Sequence, residues 1–547
     1  MSLVGDLREL DCGDITADDA ALEAFSHDAS IFAVRPQVIV APRTAADVRK
    51  VVQYAGTHAG VAITPRAAGT DMSGGAIGSS IVMDVLPHLN KLIDITRSED
   101  EKDGVATVQP GMFYRDFEQA TMARGLQYPV FPASRDLCAM GGIVANNAAG
   151  ERTLAFGQTV DWIRSLKMVC ADGNEYTFGP LTKAELDAKA SQTTFEGSLY
   201  RSIRYLAEKN RDLIEQHRPN VSKNSSGYYL WKLWKNDEFN MARLIVGSQG
   251  TLGVITEATL GLTKPATYRR TVVVFMKSLD RIAELTNQIL HYQPESLESF
   301  DDKTLSFTLQ FLPDFVRILG ASNIVSLAWQ FIPEAWMLVT GGFPKLILLA
   351  EFAGEDAHEV ERQAKRALDV VQHSGLKARL TKSAKESHKY WTIRRQSFNV
   401  IRSHAKGKRT TPFVDDIIVR PEHMPEFLPR LNAILDPYHL TLTIAGHVGD
   451  GNFHIIPLMD LSDERNRRII PEIAEKVYDL VLEYHGSITA EHNDGIIRGP
   501  WMERMWGKEM MELFAKVKHT FDPKGIFNPG KKLNVDWQWA LAHIRKD

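Results

Sequence analysis

Two histidines, His447 and His454, bracket the octapeptide HVGDGNFH. Asp-Gly between apolar runs is a strong short-range hairpin signal, because a type I′ turn needs positive φ at both central residues. With Asp450-Gly451 as a two-residue loop, Gly449 pairs with Asn452, Val448 with Phe453 and His447 with His454. Opposed cross-strand residues share a face, with Cβ atoms about 4.5–5.5 Å apart. That register stands two imidazoles side by side, a spacing that chelates one divalent metal. The plainer alternative is a hairpin with two half-buried histidines. Downstream, SITAEHNDG sets Glu491 beside His492. Glu491 would supply the third protein ligand of an open catalytic metal site. His492 is then left as an acid/base near neutral pH. Neighbouring side chains on a regular strand face opposite ways, so this segment must turn or loop for both residues to serve.

The hairpin arms, TLTIAG and IIPL, read as buried strand, flanked by helices over 422–436 and 465–485. Earlier, 36–42 reads as a short buried strand, Thr44 caps a helix that Gly60 ends, and 61–65 is a second strand. Strand, helix, strand is the grammar of an α/β unit. In the second half, strands are expected at 269–275 and 346–352. Helices are expected at 279–292, 357–373, 388–403 and 508–520. The stretch 307–345, with Trp329 and Trp336, is unusually apolar. It reads as a helical pair packed on the second domain, or as a docking surface for a membrane or redox partner.

A chain of 547 residues is too long for one core, so two or more domains are expected. Apolar residues make up 44% and charged residues 24%, as in an ordinary globular enzyme. The net charge of −4 gives no case for a nucleic-acid partner. Three scattered cysteines, Cys12, Cys138 and Cys170, build no disulfide framework and no four-cysteine iron–sulfur cluster. That usage fits a reducing compartment. The acidic N-terminus is not a signal peptide, and no charge-free apolar run reaches the ~18–20 residues of a membrane span. The expected location is cytoplasmic, with peripheral contact to the inner membrane left open.

Three glycine-rich blocks precede these elements. PRAAGTDMSGGAIG (65–78) would let backbone N–H groups converge on an anion. It matches neither GxGxxG nor GxxxxGK[ST], and a plain turn is the competing reading. The small residues around Gly141-Gly142-Ile-Val-Ala145-Asn146 would let a flat ligand approach the backbone, or serve tight helix packing. The third block, 244–262, carries Gly247, Gly250 and Gly253 and then alternates as a strand.

These blocks, with VQPGMFYRDF, AGHVGDGNFH, ITAEHNDG and FDPKGIFNPGKKL, cover most of residues 25–533. As an ordered set they resemble the vanillyl-alcohol-oxidase/PCMH flavoprotein superfamily, and within it the FAD-linked D-2-hydroxyacid dehydrogenases. The resemblance implies an α+β chain: a PCMH-type FAD-binding domain (1–266), an FAD-linked oxidase C-terminal cap domain (267–533) and a tail (534–547). It implies a pyrophosphate loop of Arg66, Ala67, Ala68, Gly69, Thr70, Asp71, Ser73, Gly74 and Gly75. Pro132, Ser134, Gly141, Gly142, Ala145, Asn146 and Gly150 would follow the flavin and ribityl chain. Gly250, Gly253 and Ile255 would lie on a further FAD-contacting strand, and Asn528 and Lys532 near the flavin. Asp71 stands where relatives often have Ser and would repel a pyrophosphate, so its carboxylate is expected to turn away. No histidine occupies the loop position that tethers flavin in covalent relatives, so the FAD is expected to be non-covalent.

By the same resemblance Arg394 grips the substrate carboxylate, with Arg395 as its competitor. A guanidinium offers a planar bidentate fork for that task. The expected reaction is oxidation of a D-lactate- or glycolate-like D-2-hydroxy acid to the 2-oxo acid. Hydride passes to flavin, and zinc, iron or manganese sits on His447, His454 and Glu491. His492 is the base. The electrons go to a separate acceptor, a quinone or redox protein. The sequence leaves two other classes open: an electron-carrier flavin subunit of a larger complex, and a zinc hydrolase. It does not name the oligomeric state.

Overall fold

The strand and helix signals of the first sixty residues fold much as they read. Thr44 caps the helix Ala45–Thr57: its hydroxyl accepts from the Asp47 N–H, and the Asp47 carboxylate accepts from the Thr44 backbone. Strands Val38–Ala41 and Ile63–Arg66 run parallel to Ile81–Asp84 in a four-stranded sheet edged by Asp14–Thr16. A second sheet of five antiparallel strands is ordered Leu92–Arg97, Asp103–Val108, Val254–Thr263, Ile163–Val169 and Glu175–Phe178. The computed structural model describes residues 2–302, 304–306, 344–404 and 407–546. The expected helical pair within 307–345 therefore lies almost wholly outside the described residues.

The second half is built on an eight-stranded sheet. Its order is Lys377–Leu380, Tyr268–Met276, Leu346–Gly354, Ser296–Asp301, Thr441–His447, Asn452–Met459 and Arg409–Thr410, with Ile417–Ile418 also paired to Asn452–Met459. Both faces are covered, and two of its central strands carry apolar runs, Val272–Met276 and Leu346–Ala350. Val272, Val274 and Met276 pack with the helices Ile282–Leu290, Ala357–His373, Met424–Leu435 and Glu464–Glu483. Val273 and Phe275 pack on the other face, against Tyr390, Trp391 and Ile393 of the helix Ala384–His404. In Ala357–His373 the residues Val360, Ala364, Ala367 and Val371 recur at helical spacing and form the buried stripe.

Side chains of the stretch 267–533 enter two cores. The helix Met502–Phe521 carries Trp506, Met510, Phe514 and Phe521 into the first-half core, beside Leu166 and Tyr228. Ile526 and Phe527 continue beneath the four-stranded sheet, where Phe527 bridges Ile63. The tail also returns: Ala33 N–H donates to the His543 carbonyl at 2.9 Å, and Phe32 bridges Ile544. Residues from both ends of the chain therefore wall the region where the halves meet.

Candidate active site

The hairpin forms in a different register from the expected one. His447 pairs with Asn452, and His454 with Ala445, so the loop is Val448–Gly451. Within it only Gly451 has positive φ, at 74°, so the type I′ turn cannot form. Two overlapping turns replace it, from Asp450 N–H to the His447 carbonyl (2.9 Å) and from Gly451 N–H to the Val448 carbonyl (3.1 Å). The cause is tertiary. Val419 N–H donates to the Gly451 carbonyl at 3.1 Å, and a Cβ on Gly451 would sit 1.8 Å from the Val419 carbonyl oxygen. Asp450 is drawn inward, 3.8 Å from the buried Lys223 ammonium. A slip of two keeps every side chain on its face. The two imidazoles still meet, with ring centroids 5.2 Å apart at 85°.

Each ring is held from behind by a carboxylate. His447 Nδ1 lies 2.6 Å from Glu298 Oε1, and His454 Nδ1 lies 3.1 Å from Asp415 Oδ1. Their Nε2 atoms converge on one oxygen, Glu491 Oε1, at 3.2 and 3.3 Å. Lys223 Nζ takes the other Glu491 oxygen at 3.2 Å. Burial would raise the Glu491 carboxyl, but Lys223 and His447 outweigh it and hold it well below the ordinary carboxylate range. Burial likewise opposes charge on His454, yet Asp415 and Glu491 push its pKa up to about 10.

Glu491 and His492 are adjacent and both reach the site because residues 489–492 bend around one carboxylate. Asp416 Oδ2 accepts the backbone N–H groups of Ala490 (2.9 Å), Glu491 (2.8 Å) and His492 (2.7 Å), and the Thr489 hydroxyl (2.7 Å). Asp416 Oδ1 accepts from Asn452 Nδ2 at 3.1 Å. Ligand atoms of Asp416, His454, Glu491 and His492 lie within 4.8 Å of one another. The Asp416 oxygens already accept those donors, so it shapes the loop, whereas His447 Nε2, His454 Nε2 and Glu491 Oε1 point at one another. From the first half, Ser225 and Gln158 side chains donate to the Ala490 carbonyl at 2.8 and 3.0 Å. His492 stacks on His454, centroids 5.1 Å apart, with its Nδ1 2.9 Å from Asp415 Oδ2. Burial lowers its pKa, but Asp416 and Asp415 reverse this and leave it raised.

Arg394, on the helix Ala384–His404, is buried and ion-paired to Glu298 Oε2 at 2.7 Å. Its neighbour Arg395 instead binds Glu151 of the first half, with Arg395 Nε 2.9 Å from Glu151 Oε2. One arginine joins the histidine cluster and the other fastens the halves, and both line the same cavity.

A single cavity of about 1260 Å³ links this cluster to the glycine-rich loops. Its wall includes Arg394, His447, His454, Glu491 and His492. It also includes Arg66, Ala67, Ala68, Gly69, Thr70, Asp71, Gly75, Pro132, Ser134, Gly141, Gly142, Ala145, Asn146, Gly250, Gly253 and Ile255. Four expected cofactor residues stand behind the wall. Ser73 donates its hydroxyl to Asp71 at 2.8 Å, and Gly74 packs against Phe32 and Ile496. Gly150 abuts the backbone of Phe131, whose carbonyl oxygen would lie 2.1 Å from a Cβ. Asn528 donates to the Gly75 and Gln249 carbonyls at 2.8 and 2.7 Å, bracing the loop from beneath. Lys532 is likewise buried away, on Asn493 and Asp494. Asp71 folds back into its own loop, accepting the Ser73 and Gly75 N–H groups at 2.9 and 2.6 Å and Asn146 Nδ2 at 2.8 Å. Those two amides are thereby spent on the loop itself.

Sequence reasoning missed Glu298, Asp415, Asp416 and Lys223 as parts of this site. A charged residue in the middle of a buried strand, as in SLESFD, was the available signal for Glu298. No local signal marked Lys223.

Residues 36–179 match the family model for the FAD binding domain, and residues 265–532 that for FAD linked oxidases, C-terminal domain. The chain belongs to the FAD-linked oxidases. A D-2-hydroxyglutarate dehydrogenase of Pantoea ananatis (strain AJ13355) is 27% identical over 537 residues, covering 95% of this chain and 50% of that protein. The chain thus spans half the length of that relative. A D-lactate dehydrogenase of Anaerostipes hadrus is 26% identical over 526 residues, covering 94% of each. A solved structure of p-cresol methylhydroxylase with substrate bound shares the fold, with a TM-score of 0.67 at 14% identity over 97% of this chain and 96% of that one. The architecture is therefore the two-domain PCMH-type FAD fold of this family.

Proposed function

We propose that this FAD-linked oxidase oxidises a D-2-hydroxy acid to the 2-oxo acid, with a divalent cation held by His447, His454 and Glu491. One observation carries the reading: two imidazole Nε2 atoms converge on one carboxylate oxygen in the cavity walled by the FAD loops. Two ring nitrogens and one carboxylate oxygen suit zinc, iron or manganese. Carboxylates behind each ring are the usual outer partners of ligating imidazoles. FAD supplies the hydride acceptor, and a bound cation supplies Lewis-acid polarisation of the substrate hydroxyl.

The side chains do the rest. Arg394, held in place by Glu298, binds the substrate carboxylate. His492, with Nδ1 turned to Asp415, takes the hydroxyl proton at Nε2. Lys223 keeps Glu491 ionised. The FAD is held without a covalent bond. Cys138 lines the cavity, but burial pushes its thiol up to about 12, so no thiolate is available to attack the ring. Electrons leave to a separate acceptor, a quinone or redox protein. Cys12, Cys138 and Cys170 are each buried and unpaired. Among the described residues no helix is long and apolar enough to cross a membrane.

The test is anaerobic flavin reduction by a panel of D-2-hydroxy acids, with and without added Zn²⁺ or Mn²⁺ after chelation. Bleaching by a D-acid that depends on the metal supports the reading. Flavin that stays oxidised with every acid and metal tried refutes it.

A further inference from the structure

Glu298 stands at the centre of the buried strand Ser296–Asp301, 1% exposed, on the sheet that carries the hairpin. Its two oxygens serve two different parts of the site. Oε1 is 2.6 Å from His447 Nδ1 and Oε2 is 2.7 Å from an Arg394 nitrogen. We propose that Glu298 is a positioning residue that couples the grip on the substrate carboxylate to the cation site, an assignment that rests on the function proposed above.

An ionised carboxylate only accepts hydrogen bonds. Facing Oε1, His447 must carry a proton on Nδ1, so that Nε2, 3.2 Å from Glu491 Oε1, is the ring atom that would ligate a cation placed between them. Facing Oε2, Arg394 is held at one corner of its guanidinium while the residue lines the cavity. The two partners therefore share one anion. A cation on His447 Nε2 strengthens the Nδ1–H donor and orders the same carboxylate that orients Arg394. By linkage, substrate carboxylate and cation must then raise each other's affinity.

Glutamine has the same shape but cannot satisfy both partners. With its oxygen toward His447, its NH₂ meets the Arg394 donors. Flipped, its NH₂ forces the proton onto His447 Nε2 and removes the lone pair.

The experiment compares FAD-loaded wild-type protein with Glu298→Gln. Mn²⁺ affinity is measured by calorimetry, FAD affinity by fluorescence, and kcat and KM with the best D-2-hydroxy acid at saturating Mn²⁺. Mn²⁺ binding is expected to weaken about 10–100-fold in the variant. FAD affinity should be unchanged, and KM should stay raised roughly tenfold after kcat is rescued by excess Mn²⁺. Wild-type Mn²⁺ affinity and KM in Glu298→Gln overturn the proposal alone. Wild-type protein that binds neither Mn²⁺ nor Zn²⁺ and turns over fully after chelation refutes the cation reading, and the coupling falls with it. If Glu298→Gln fails to retain FAD, Glu298→Asp decides by the same measurements, since its shorter arm reaches only one of the two partners.

Discussion

Replacing Asp416 by alanine isolates the feature that makes the site possible. In the native loop one oxygen accepts three backbone N–H groups and the Thr489 hydroxyl, all at 2.7–2.9 Å, with the donors of Thr489, Ala490 and Glu491 buried and that of His492 half-buried. A buried donor left without an acceptor costs about 1–3 kcal/mol. The Ala490 N–H keeps a second acceptor, the Asp416 backbone carbonyl at 3.0 Å, so three donors are orphaned at about 3–9 kcal/mol, comparable with the about 5–15 kcal/mol that separates a folded domain from its unfolded chain. The segment will rebuild elsewhere rather than stay as it is, carrying Glu491 and His492 out of register with His447 and His454. Loss of a positioned general base is worth about 10²–10⁴-fold in rate. Loss of Glu491 as well puts the expected fall in substrate-driven flavin reduction at about 10³-fold or more. FAD should stay bound, since the loop 66–75 rests on Asp71 and Asn528. Asp416→Asn keeps the left-handed backbone that Asp416 adopts (φ 67°) and one carbonyl acceptor, so it should fall between the two. Stopped-flow bleaching, metal analysis and flavin absorbance report the three quantities separately. Wild-type reduction rates in Asp416→Ala with a full complement of metal would refute the reasoning.

The purified protein is expected to be yellow and to release its FAD on acid or heat precipitation, and Cys138→Ser should behave identically; flavin left on the pellet contradicts this. His447→Ala and His454→Ala should lose metal and turnover together while keeping FAD, as read by elemental analysis and flavin absorbance. Glu151 is raised by burial and lowered more strongly by Arg395, which leaves its carboxyl at about 2 against an ordinary 4.5, worth about 3 kcal/mol of stability. A depressed carboxyl contributes fully above about 4.5 and loses that contribution as pH falls toward about 2. Glu151→Gln should therefore lower the denaturation midpoint at pH 7 and converge on wild type in acid.

The sequence carried the local grammar well and the long-range causes poorly. The helix Ala45–Thr57 with its Thr44 cap, and the helix Ala357–His373 with its apolar stripe, are written in their own residues. The hairpin shows the limit. Asp450-Gly451 argues for a two-residue turn, yet Val419 and Lys223, distant in the chain, pin Gly451 and Asp450 into a longer loop. The meeting of the two imidazoles survived the error because a slip of two preserves the face, whereas a slip of one would have put the histidines on opposite sides. Glu491 and His492 could be singled out, but not the reason both face the site, because Asp416 lies some seventy-five residues earlier. The helix Met502–Phe521 has an apolar face that says it is buried without saying in which core.

The charges buried around the histidines give an independent reason for a divalent cation. Five carboxylates, Glu298, Asp415, Asp416, Asp450 and Glu491, are each less than a tenth exposed, as are three fixed cations, Lys223, Arg394 and Arg498. Uncompensated charge is costly in such a setting, and this set is two positive charges short. Two protonated imidazoles would close the gap, and the raised pKa of His454 runs in that direction. A ring protonated on both nitrogens is no ligand, and a protonated His492 cannot accept a substrate proton. One divalent cation at the point where the His447 and His454 Nε2 atoms meet Glu491 closes the same gap without those ring protons. It leaves both rings as ligands and frees His492 to act as a base. The acidic surroundings that raise His454 and His492 are thus the ones that would favour a metal in place of their protons.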